Sequence, residues 1–82
     1  MVTVYREGGF RIVIHKDDHP PAHVHVIKDG EVIIQLSGRY GRPEIQREYG
    51  STNADVRKSM RIVEEQLEYL IERWKDIHGG ID

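Results

Sequence analysis

Cysteine is missing altogether from the 82 residues, which excludes disulfides, zinc–thiolate sites and thiol nucleophiles. No apolar run approaches the roughly 18 residues that a membrane-spanning helix needs. No charged-then-apolar leader opens the chain, so a soluble, cytoplasmic protein without a membrane role is the expectation. None of the glycine spacings forms a phosphate-cradling loop or a dinucleotide fingerprint. The short length predicts one domain over 1–82, burying roughly 60–65% of its unfolded surface and leaving no room for a large cofactor cavity. At that size a partner or a second copy would add useful stability.

The chain is polar for a globular domain, with 38% apolar and 32% charged residues, and its net charge of −2 conceals a segregation. Residues 39–61 carry six basic side chains against three acidic ones, whereas residues 62–82 carry six acidic against two basic. The middle is a candidate basic patch and the tail an acidic one.

Periodicity supplies the fold class. "VTVYRE" and "FRIVIH" alternate on either side of Gly8-Gly9, and "HVHVI" and "EVIIQL" flank Lys28-Asp29-Gly30. A two-residue turn in the second hairpin would mix His23 and His25 with Ile34 and Leu36. A three-residue turn with a left-handed Gly30 instead gathers Val24, Val26, Val32, Ile34 and Leu36 on one face. That register leaves His23, His25, Ile27, Glu31, Ile33 and Gln35 on the other. Residues 37–50 read as an arginine-rich loop with a short strand around Glu44 to Arg47. Thr52 has the character of an N-cap, with Asp55 three residues on. From there one helix is predicted to about Ile77, closed by Gly79-Gly80 and about 36 Å long. Val56, Met60, Val63, Leu67, Leu70, Trp74 and Ile77, broadened by Ile71, form its apolar stripe. The expected architecture is α+β: a meander of about four antiparallel strands within 1–50, packed against one long C-terminal helix within 51–82. Such a helix outruns strands of about 17–20 Å, which points to a homodimer or a partner at its far end.

"KDDHPPAHVHV", residues 16–26, places three histidines within seven positions, beside two aspartates and a Pro-Pro pair. His23 and His25 leave one strand on the same side, about 7 Å apart at Cα. His19 sits in the connecting loop, where Pro20 and Pro21 favour extended backbone and remove two amide donors. Three readings stay open. The histidines are half-exposed strand residues satisfied by backbone or by Asp18; or His19, His23 and His25 bind a divalent transition metal; or His19, His23 and His25, oriented by Asp18, run acid–base catalysis on RNA. Arg39, Arg42 and Arg47 would contact phosphate or a protein partner, and Tyr40 and Tyr49 would stack on bases. A truncated His-φ-His-φ-His hydrolase triad fails, because Ile27 takes the third place.

The run "GGFRIVIHKDDHPPAHVHV", the Lys28-Asp29-Gly30-Glu31 hairpin and a long helix with a late tryptophan resemble the bacterial domain-of-unknown-function family 4160. The likeness covers nearly the whole chain. Its most specific part is "DHPPAHVHV": Asp18, His19, Pro20, Pro21, His23 and His25 fit, and Ala22 departs where a third proline is usual. The resemblance implies a neighbouring gene for another short domain of unknown function, family 2442, in pairs regarded as toxin–antitoxin modules. On that basis the chain is expected to be a toxin-like component acting on RNA, with a small antitoxin-like protein partner. The rival expectation is a non-enzymatic binding module whose histidines hold a metal or order a partner-binding loop.

Overall fold

Alternating apolar residues can bury one sheet face only if something covers it, and this chain supplies the cover from its own C-terminal third. The computed structural model describes residues 1–79. Its five strands pair antiparallel in sequence order: β1 (Val2–Glu7), β2 (Phe10–Ile14), β3 (His23–Ile27), β4 (Glu31–Gln35) and β5 (Glu44–Tyr49). Helices α1 (Asn53–Glu65) and α2 (Leu67–His78) follow. Val4, Phe10, Ile12, Ile14, Val24, Val26, Val32, Ile34 and Leu36 form the buried sheet face, which meets Ile62, Val63, Leu70 and Trp74.

The three-residue hairpin is the one formed, since Ile27 pairs with Glu31 and Val24 with Ile34. Gly30, however, is not among the glycines with positive φ. Its requirement is space: a β-carbon there would overlap the Tyr49 carbonyl and the backbone of Gly50 and Ser51. Backbone cannot step aside as a side-chain tip can, so Gly30→Ala should cost about 1–3 kcal/mol in urea unfolding. A loss below about 0.5 kcal/mol, the scatter of ordinary surface changes, would show that the close approach carries no strain.

Two expectations are corrected. The strands number five rather than about four, because the run near Glu44–Arg47 extends to Tyr49 and pairs with β4 as an edge strand, with a bulge that leaves Gln46 without a partner. All six β5 residues are exposed, so it carries none of the buried positions found in each of the other strands.

The single long helix is in fact two, parted at Gln66, where φ and ψ are −104° and 17°. A straight helix over 53–78 would be about 39 Å long, more than the 33 Å of the molecule's longest extent. Bending divides it into segments of about 20 and 18 Å, each matched to strand length. Neither glycine nor proline marks the break: the Gln66 N–H closes α1 on Ile62 O at 3.0 Å, and Gln66 O opens α2 by accepting the Leu70 N–H at 2.9 Å. Thr52 does cap α1, its hydroxyl accepting the Asp55 N–H at 3.1 Å. The buried face of α1 is centred on Ser59, Ile62 and Val63, with Val56 and Met60 flanking. Ser59 turns its hydroxyl back to the Asp55 carbonyl at 2.8 Å, which satisfies it inside the interface. α2 ends at His78, with Gly79 left-handed at φ 77° and its N–H bonded to Lys75 O; Gly80 lies outside the described residues. Tyr69 donates to the Val4 carbonyl at 2.9 Å, fastening α2 to the β1 edge.

Candidate metal centre

The β2–β3 connection folds back over the outer face of the sheet. Asp18 drives this local turn: its N–H bonds His15 O at 3.1 Å, and its Oδ2 accepts the His15 N–H at 3.1 Å. Side-chain alternation then places His23 and His25 beneath the returned Asp18. His23 Nε2 and His25 Nε2 lie 3.4 and 3.3 Å from the same Asp18 Oδ2. The three side chains are largely covered, at 19%, 11% and 16% exposure for His23, His25 and Asp18. One atom from each of the three lies within 4.8 Å of the others.

The far nitrogens fix the tautomers. His23 Nδ1 meets Pro21 O at 2.9 Å and His25 Nδ1 meets Glu31 Oε2 at 2.6 Å. Carbonyl and carboxylate oxygens accept, so both rings carry a proton on Nδ1. In the neutral rings both Nε2 atoms are then bare lone pairs aimed at a carboxylate oxygen. A cation shared by the two nitrogens and the carboxylate oxygen would suit that arrangement. Partial burial pushes the Asp18 carboxyl up, but the His15 N–H bond and the nearby imidazoles of His23, His25 and His15 outweigh it and hold the group below its ordinary value.

The outward register of His23 and His25 does not keep both clear of the helix. Bent at Gln66, α2 brings Trp74 around the sheet end to within 5.4 Å of the His23 ring, centroid to centroid and tilted at 47°. His78 stacks on Trp74 at 3.8 Å and donates through Nε2 to His15 O at 3.0 Å. His15 meets His25 edge-on at 4.5 Å. The rings of His15, His23, His25, Trp74 and His78 thus form one continuous group, in which Trp74 Nε1 and His78 Nδ1 find no hydrogen-bond partner among the described residues.

Among the expected site residues, Asp18, His23 and His25 come together. His19 does not join them. It is exposed and stands with Pro20 and Pro21, joined by a cis peptide bond rather than an extended run, on the wall of an adjoining open cleft of about 280 Å³. His23, Ile33 and Gln35 form the cleft floor, with Gln46 and Arg47 opposite. Of the three arginines, only Arg47 lines this cleft. Arg39 and Arg42 project from the exposed turn before β5, where Tyr40 is 91% exposed and left-handed at φ 61°.

Sequence reasoning missed Glu31 as a partner of His25. The signal was present: in the chosen register His25 faces Ile33, which makes Glu31 a diagonal neighbour on the same face. Trp74 and His78 carried no such signal, because their arrival depends on the bend at Gln66.

Fold and site together define a class: a small antiparallel sheet backed by a bent helix, with a two-histidine, one-carboxylate cluster where the β2–β3 loop closes over the outer face. The chain belongs to the family described as Domain of unknown function (DUF4160), whose model matches residues 9–75. No curated protein and no solved structure matches it significantly.

Proposed function

We propose that the protein is a small metal-binding module in which Asp18, His23 and His25 hold one divalent transition-metal ion, zinc being the best fitted. The observation that carries this reading is the convergence of both Nε2 atoms on Asp18 Oδ2 at 3.3 and 3.4 Å. Ligand atoms about 2.0–2.1 Å from a tetrahedral zinc stand about 3.3–3.4 Å from one another. Glu31 and the Pro21 carbonyl already occupy the outer nitrogens, as the supporting groups of metal-bound histidines do. Three protein ligands leave a fourth position for water or a partner's group.

The RNA-directed, toxin-like reading asks for imidazole nitrogens free to face a substrate. Of the four residues named for it, only the His19 side chain has no polar contact among the described residues, which is why the metal reading is preferred. A protein partner, implied by the family resemblance, fits the metal reading too: the ion would pin the loop from His15 to His23 in one shape for docking.

Tag-free protein should take up one equivalent of zinc, read by elemental analysis and calorimetry. At a free zinc concentration of one hundred times Kd it should gain about 2.7 kcal/mol of stability. Absence of both uptake and stabilisation would falsify the proposal.

A further inference from the structure

Strand pairing sets one row of outer-face side chains abreast: His25 opposite Ile33, and Ile33 opposite Arg47. Neighbouring strands stand about 4.7–4.9 Å apart, so the His25 and Arg47 backbones lie about 10 Å from each other. In the next row His23 faces Gln35, and Gln46 donates its side-chain amide to Gln35 Oε1 at 2.7 Å. The cleft of about 280 Å³ is therefore bordered by one ring of the proposed metal cluster, His23, and by the Arg47 guanidinium. Binding sites for small molecules run from roughly 300 Å³ upward, so this one takes a single small molecule or one unit of a longer chain.

The charge in the cleft is positive and unspent. Among the described residues no carboxylate lies within ion-pair distance of Arg47. Its one side-chain bond goes to the Tyr49 hydroxyl at 3.2 Å, which leaves most of its N–H groups unused. The carboxylates on the same strand are turned elsewhere, Glu44 to the Arg39 N–H and Glu48 to the Ser51 N–H. A guanidinium fork matches two phosphate oxygens, and a divalent ion with an open position takes a third. Pro20, Pro21 and Ile33 offer apolar surface for a flat ring, and Gln35 and Gln46 offer amides for its edge or for sugar hydroxyls.

We infer that the cleft binds a nucleotide-sized phosphate ester, its phosphate held between Arg47 and the metal and its ring against Pro20, Pro21 and Ile33. The inference rests on the metal reading for one of the two phosphate anchors and on Arg47 for the other.

Amide NMR of the zinc-loaded, tag-free chain tests it. The titrants are the four ribonucleoside 5′-monophosphates, their phosphate-free nucleosides, and a hexauridylate. At least one monophosphate should bind at low-millimolar concentration and shift the Gln46 and Arg47 amides, while its nucleoside does not. Arg47→Met should weaken that binding about tenfold or more, a loss of at least about 1.4 kcal/mol, with zinc affinity unchanged. A hexauridylate that binds more tightly than uridine monophosphate assigns the phosphate to a strand; equal binding assigns it to the free nucleotide. The cleft is overturned, with the metal reading intact, if zinc loads and none of the four monophosphates binds. It is equally overturned if Arg47→Met binds them as well as the wild type. Nucleotide binding that needs Arg47 in a protein that takes up no zinc keeps the cleft and removes the metal reading.

Discussion

Trp74→Ala should cost the protein a large share of its stability. Trp74 is fully buried, and it joins three things at once: the helical core, the stacked His78 and the His23 ring. Truncating a buried tryptophan costs about 3–5 kcal/mol. A domain of this length has a total of about 4–12 kcal/mol at roughly 0.05–0.15 kcal/mol per residue. The variant should therefore lose from about a quarter to all of that total, read as a lowered urea midpoint. Far-UV circular dichroism in urea is the measurement, because the substitution removes the sole tryptophan. Trp74→Phe serves as the control; it keeps a ring and deletes an indole N–H that has no partner among the described residues. It should lose less than half as much. If the alanine variant loses less than about 1 kcal/mol, packing around the sheet end is not what holds α2 in place.

The second large effect concerns the proposed metal site. His25→Ala removes one of the three proposed ligands and should abolish measurable zinc uptake, together with the zinc-dependent gain in stability. Glu31→Gln is the sharper substitution, since Glu31 would not touch the ion. Glutamine keeps the length and can still accept from His25 Nδ1, but it withdraws the negative charge that strengthens the ring as a donor to metal. Outer partners of this kind are worth about 10–100-fold in affinity. Calorimetry should place Glu31→Gln in that range, with an unchanged urea midpoint in the metal-free state. A Glu31→Gln protein that binds zinc as tightly as wild type would reduce the 2.6 Å contact to a surface ion pair.

What the sequence revealed of the fold and what it hid divide along the range of the interactions involved. The β3–β4 register was legible because alternation has a period of two, and a one-residue slip would have turned Val24 and Val26 to the wrong face. β5 was only half legible, because an edge strand exposed on both faces has no burial pattern to impose. The bend at Gln66 was hidden for a different reason. It is set by the distance α2 must travel to reach the sheet end, and no glycine or proline records it. At the site, the identity of the histidines was visible and their grouping was not. His19 looks equivalent to His23 and His25 along the chain, but the turn fixed by Asp18 and His15 leaves it on the cleft wall and puts the aspartate in the cluster instead. Arg47 and Arg42 look alike in sequence too, and only pairing with β4 separates a cleft-lining guanidinium from an exposed one.

Placing the chain's sole indole against His23 has a practical consequence. A copper or nickel ion seated there would quench fluorescence at contact range, whereas zinc, lacking unpaired electrons, would leave the emission bright. Occupancy could then be followed optically in the unlabelled protein, one ion competing against the other.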